Sequence, residues 1–168
     1  MTTTTLYHLA VFIHVMAALI WLGGMFFVAL VGAPVLRKVE PPELRVKLFQ
    51  DLGLRFRNVG WTALGVLVVT GVWILHLRGV LRLETLADPV WWSTSFGRAL
   101  GWKLTAVVIM VVVSALHDFV FGPRAGRTSG DDPAARARHR RLAIHLARLN
   151  AGVGILLVYW AVRLARGG

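Results

Sequence analysis

The sequence predicts an all-α integral membrane protein: one domain of 168 residues built as a four-helix transmembrane bundle. Three observations predict it. Hydrophobic residues make up 57% of the chain and its mean hydropathy is +0.65, beyond the composition of an ordinary water-soluble domain. The apolar residues gather in four stretches, near 6–31, 59–77, 99–121 and 142–164, each close to the roughly 20 residues that cross a bilayer as a helix. Most of the basic residues lie in the connections between these stretches, as membrane orientation requires.

The first stretch, Leu6 to Val31, holds no charged residue, and none occurs before Arg37. It lacks a basic leader and is too long for a signal-peptide core, so it is expected to stay in the mature protein. The second, Val59 to Leu77, follows Arg55 and Arg57; the residues before it, Glu43 to Phe56, suit a short amphipathic helix whose Arg and Lys face anionic lipid. The third, Ala99 to Phe121, carries Lys103 near its start and Asp118 near its end. The fourth, Leu142 to Leu164, is the least apolar and includes Arg148 and Arg163. All four read as helices because a spanning segment must satisfy its own backbone hydrogen bonds in lipid. The connection with Gly126, Gly130, Asp131, Asp132 and Pro133 reads as a solvated loop.

Six Lys or Arg lie between Arg37 and Arg57 and seven Arg between Gly122 and Arg148, against three in the intervening connection and none in the N-terminal tail. Basic excess marks the cytoplasmic side of a bacterial-type inner membrane. Both termini are therefore expected to be extracytoplasmic. The same distribution explains the net charge of +11 without nucleic acid, for which no binding module is present.

Ionisable groups inside a span are functional candidates by default, and histidines sit in or beside every span. His8, His14 and His76 fall toward the outer side, with His14 about 9 Å deeper than His8. His117 and His145 fall toward the inner side, and His139 lies in the basic connection. Helical spacing arranges the polar residues in stripes. Tyr7, His14 and Trp21 share a face with Ala17, Ala18 and Gly24; the second helix gives Trp61, Gly65, Val69, Val72 and His76. The third gives Lys103, Val107, Met110, Ser114 and His117, and the fourth His145, Arg148, Gly152, Leu156, Tyr159 and Arg163. These stripes are expected to meet as a polar seam. Plainer roles stand beside this one. His8 and His145 can simply meet water, His14 can be a structural hydrogen-bonding histidine, Lys103 and Arg163 can snorkel, and Trp91, Trp92 and Trp102 fit the interfacial aromatic belt.

With no cysteine, disulfides, thiolate sites and covalent c-type haem are excluded. Neutral imidazole suits copper, zinc and haem iron. The residues lead first to haem b, with electron transfer or small-gas oxidoreductase chemistry on oxygen or nitric oxide. His14 and His76 would be axial ligands and His117 and His145 a second pair. Arg98, Lys103 and Arg163 would hold propionates, Trp21 and Tyr159 would line the cofactor, and Gly23, Gly24, Gly65 and Gly71 would make room for it. Copper is the alternative, with Met110 beside His117 or His14 holding one ion. The four methionines (1, 16, 25 and 110) include no close pair, which weighs against a dedicated thioether conduit. A homodimer through small-residue faces and a redox partner or quinol complete the expectation, with a cofactor-free assembly role as a third reading.

His14 followed by Trp21-Leu22-Gly23-Gly24, Arg55-Phe56-Arg57 leading to Thr70-Gly71, and Phe96-Gly97-Arg98 with Lys103 resemble the membrane domain of the copper-resistance protein D family. The resemblance covers most of residues 7–124 and is weaker over the fourth helix. It implies copper uptake across the inner membrane, often with a periplasmic copper-binding partner, and makes His14 the first candidate ligand.

Overall fold

The computed structural model describes residues 2–123 and 133–168. These are helices and short connections with no strand among the described residues. Four helices are long and apolar enough to cross a membrane: α1 (Thr3–Leu36), α2 (Pro42–Leu77), α5 (Ser95–Phe121) and α6 (Pro133–Ala165). Two short helices, α3 (Leu83–Ala87) and α4 (Pro89–Ser93), lie between α2 and α5. The chain divides into two compact units, residues 1–88 and 89–168, each a helical hairpin. Large apolar side chains such as Phe12, Leu19, Val69, Val108 and Ile155 stand exposed along these helices. Only a hydrocarbon solvent accommodates so much exposed apolar surface, so this is a multi-pass membrane protein.

In the first unit α1 and α2 pack antiparallel: Tyr7 meets Arg78, His14 meets Thr70, Trp21 meets Gly60 and Gly24 meets Phe56. Small residues set the spacing. A Cβ on Gly60 would touch Trp21 Cδ1 at 3.8 Å, and one on Gly24 would come 2.5 Å from Phe56 Cε2. Ala10, Ala17, Trp21, Ala63 and Leu64 form the buried seam. Thr2 caps α1, its hydroxyl accepting the Thr5 amide. The end of α2 is a Schellman turn: the Val80 amide donates to the Leu75 carbonyl at 3.0 Å and that of Gly79 to His76 at 2.9 Å. Gly79 takes φ +70°, a conformation a side chain would strain.

In the second unit α5 and α6 pack antiparallel through a stack of Trp102 on Trp160 at one end and Ser114 against Asn150 further along. Thr94 caps α5 through the Gly97 amide at 3.0 Å. A Cβ on Gly97 would meet the Trp91 carbonyl oxygen and lie 2.8 Å from Trp92 Cα, so only glycine lets α4 fold back here.

Both α1 and α5 carry a π-helical segment, Val28–Gly32 and Leu116–Phe121. Each runs into a proline, Pro34 or Pro123. A proline cannot donate to the carbonyl four residues back and its ring crowds it; widening the preceding turn relieves that conflict.

Several sequence expectations are corrected. The amphipathic stretch and the second span are one continuous helix of 36 residues, because nothing between Phe56 and Val59 interrupts helical bonding. Helix α6 begins at Pro133, nine residues before the expected start near 142, since Ala and Arg are good helix formers. His139 is therefore helical, not a solvated loop residue. It is half-buried with its ring 6.3 Å from that of Phe121, and its Nδ1 is buried with no hydrogen-bond partner. The expected loop residues Gly126, Gly130, Asp131 and Asp132, together with Arg124, lie outside the described residues.

Candidate metal centre

The first unit holds its histidine by a chain of hydrogen bonds. His14 is half-buried on the α2-facing side of α1, one helical turn from buried Ala10 and Ala17. Its Nδ1 lies 2.8 Å from Thr70 Oγ1. Thr70 in turn donates to the Val66 carbonyl at 2.6 Å. Gly71 makes room for the ring: a Cβ there would touch His14 Cε1 at 3.4 Å. The sequence motifs thus separate physically. Trp21 with Gly60 and Gly24 with Phe56 hold the hairpin together, whereas Thr70-Gly71 houses an imidazole.

At the end of the hairpin that carries the N-terminus the Arg78 guanidinium donates twice to Tyr7 Oη, at 3.1 and 2.6 Å, and lies 5.4 Å from the ring centre. Beside it His8 and His76 are exposed, the His76 ring 5.9 Å from that of Trp73 on its own helix. A groove of about 440 Å³ between α1 and α2 is lined by Ile13, Met16, Ala17, Asn58, Thr62 and Val66 among others. His14 is not part of its lining, and its walls are apolar enough for a lipid chain.

In the second unit His117 lies in the π-helical end of α5, half-buried, with Nδ1 2.7 Å from the Asp118 carboxylate. The Asp118 carboxylate thus lies within hydrogen-bonding distance of the ring of its neighbour in sequence. Lys103 is half-buried on the face that carries buried Met110 and Ser114. Arg98, at the exposed start of α5, donates to the Ser93 carbonyl. On α6, His145, Tyr159 and Arg163 are exposed, and Arg163 reaches Tyr159 Oη at 3.5 Å.

The expected stripes hold on α1 and α5 and fail on α2 and α6. Gly65, Val69, Val72 and His76 are exposed, and the packed face of α2 is Gly60, Ala63, Leu64, Thr70 and Gly71. The whole α6 stripe from His145 to Arg163 is exposed, while Ala143, Asn150, Val153 and Gly154 are buried. In each case the stripe chosen followed the large polar side chains. The helices pack through small ones, because close approach in lipid depends on backbone proximity.

Asn150 was missed by the sequence reading. Its Nδ2 donates to Ser114 Oγ at 2.8 Å, both residues are buried, and its Oδ1 finds no partner. An asparagine mid-way along an apolar segment, with a single serine, Ser114, in the facing apolar stretch 99–121, was the available signal.

The geometry does not fit haem within the first unit. His76 stands six residues along α2 from Thr70, the partner of His14, which is about 9 Å along the axis and about 120° around it. The seam beside His14 is filled by Ala17 and Trp21. Of the four glycines expected to admit a macrocycle, Gly24 and Gly71 are occupied by Phe56 and His14, and Gly23 and Gly65 face open space. Among the described residues no three His, Cys, Asp or Glu come together. The described residues therefore form no closed four-ligand site of the structural-zinc kind.

Comparison with known proteins points to copper and gives haem no support. The family model described as copper resistance protein D matches residues 52–164. This interval takes in most of α2 and all the helices after it, and leaves out α1, so the fourth helix is better covered than the residue motifs implied. An uncharacterized protein of Aquifex aeolicus (strain VF5) is 32% identical over 160 residues, 95% of each chain. No solved structure matches. The family match covers more than half of the chain, from within α2 through the rest of the helices, and the chain belongs to the copper resistance protein D family.

Proposed function

We propose that this chain binds copper within the membrane and passes it across, as an uptake permease of the copper-resistance type with copper as its cargo. The observation that carries the reading is the family match over residues 52–164. The held imidazole of His14 supports it by supplying a ligand suited to copper inside a span. His14 is the first ligand in this proposal. His117, oriented by Asp118, is a second station, and Met110 and Lys103 share its helix face. His76 and His145, both exposed, are secondary ligands that a second copy or a partner would have to complete. Trp21 and Tyr159 take packing and surface roles, and Arg98 and Arg163 set the charge at the outer ends of α5 and α6.

Orientation follows the basic residues: both termini extracytoplasmic in a bacterial-type inner membrane, with the start of α2 and of α6 on the cytoplasmic face. Exposed Lys47 and Arg55, and Arg138, Arg140 and Arg141, would then meet anionic headgroups. A homodimer covering the exposed faces of α2 and α6 belongs to the same proposal.

The test is metal content and absorption of the purified protein. Stoichiometric copper, absent from His14→Ala, with no Soret band, is the expected result. A Soret band, or a protein that takes up no copper, would overturn the reading.

A further inference from the structure

We infer that Thr70 is a positioning residue that locks His14 in the Nδ1-protonated tautomer, so that Nε2 is the atom presented to a metal ion. The argument is a count of protons. A threonine hydroxyl has one hydrogen to give and two lone pairs to receive with. Thr70 Oγ1 lies 2.6 Å from the Val66 carbonyl oxygen, and a carbonyl can only accept. The hydroxyl proton is therefore committed to the backbone one turn earlier, a bond that serine and threonine make readily in helices. The next carbonyl, Leu67, lies 3.4 Å away and competes for the same proton. Toward His14 Nδ1 at 2.8 Å, Thr70 has only a lone pair to offer. Nδ1 must then carry the hydrogen, and in the neutral ring the lone pair resides on Nε2.

An oxygen acceptor on one ring nitrogen is the usual means of fixing which nitrogen binds a metal. Here it is supplied from the neighbouring helix, so ring orientation depends on the α1–α2 register. Gly71 completes the device. The Cε1 edge of the ring lies 3.4 Å from where a Cβ would sit, so a methyl would just touch it and anything bulkier would press on it. A larger side chain there would push the ring off Thr70.

The metal-binding consequence rests on the copper reading above; the tautomer does not. The experiment therefore has two arms on the full-length protein in lipid nanodiscs. In the first, long-range proton–nitrogen correlation spectra of ¹⁵N-histidine-labelled protein, with His14 assigned by its loss in His14→Gln, report which nitrogen is protonated. The native protein is expected to show His14 in the Nδ1–H form, Thr70→Ser to keep it, and Thr70→Val to release the ring into a mixture. A native His14 in the Nε2–H form overturns the inference without any variant having to fold. An unchanged spectrum in a folded Thr70→Val protein overturns it equally. In the second arm, Cu(I) is titrated against a chromophoric chelator. Thr70→Val is expected to weaken binding about 10–100-fold, as loss of an orienting partner does elsewhere, with Thr70→Ser near native. A copper affinity unmoved by Thr70→Val, with His14 still required, overturns the positioning role. Locked tautomer with no copper bound by any form would instead overturn the copper reading and leave the tautomer assignment standing.

Discussion

Replacing glycines by alanine, one at a time, tests whether the two hairpins are held at the distances described. Gly97→Ala is the severe case. The new methyl would sit on the Trp91 carbonyl and 2.8 Å from Trp92 Cα, against a carbon–carbon optimum of about 3.5–4.0 Å. Both obstacles are backbone, so relief requires α4 to move by roughly 1 Å and strains the Thr94 cap that closes the same corner. Overpacking of this kind costs about 1–3 kcal/mol, and loss of a cap adds about 1 kcal/mol. Gly24→Ala is the middle case. Its methyl would lie 2.5 Å from Phe56 Cε2, but the obstacle is the edge of a ring that can swing, so about 1–2 kcal/mol is expected. Gly152→Ala is the control. Nothing lies within 4 Å of its added Cβ, and alanine in place of helical glycine gains about 0.5–1 kcal/mol. Denaturant unfolding in mixed micelles, followed by tryptophan fluorescence and circular dichroism, gives the order: Gly152→Ala most stable, then native, Gly24→Ala and Gly97→Ala. Gly97→Ala as stable as native, or Gly152→Ala as damaging as Gly97→Ala, would refute the packing described.

Trp21→Ala removes the largest side chain from the α1–α2 seam, 7% exposed, and should cost about 3–5 kcal/mol, with Trp21→Phe much closer to native; unfolding in the same micelles reads this. Asn150→Leu removes a buried amide that leaves one polar atom unpaired, and Ser114 can turn its hydroxyl to its own helix. The expected change is within about 1 kcal/mol in either direction. Ser114→Ala is expected to cost about 1–3 kcal/mol, because it leaves the buried Asn150 amide without its one partner.

How much of this was legible beforehand differs by helix. Four spans, their order and the membrane setting followed from apolar length, because lipid leaves a backbone few other options. The packed faces of α1 and α5 were legible because small residues and polar residues coincide there: Ala17 beside His14, Ser114 one turn from Met110. On α2 and α6 the two signals diverge. His76 and Arg148 drew the reading to one side, while Gly60, Ala63 and Asn150, Gly154 made the contact on the other. The start of α6 was hidden by its arginines, which resemble a loop by charge yet favour helix by propensity. His14 was legible as a buried imidazole, but its partner was not. Thr70 is 56 positions away, and only the antiparallel register brings it to the ring.

Residue chemistry alone put haem before copper, and the family match supports the reverse order. Inward histidines, glycines and flanking cations together describe a haem site only if they converge, and convergence is a property of three-dimensional register. Here His14 and His76 face different directions on a hairpin whose seam is already filled.

The most direct measurement of the central claim is copper movement across a sealed bilayer. Proteoliposomes carrying the native chain, with a Cu(I)-responsive dye trapped inside, should fill when copper is added under reducing conditions. Those carrying His14→Ala should fill no faster than empty vesicles, while Gly152→Ala should match the native chain. Equal filling by native and His14→Ala vesicles, or none above the empty control for the native protein, would contradict the account.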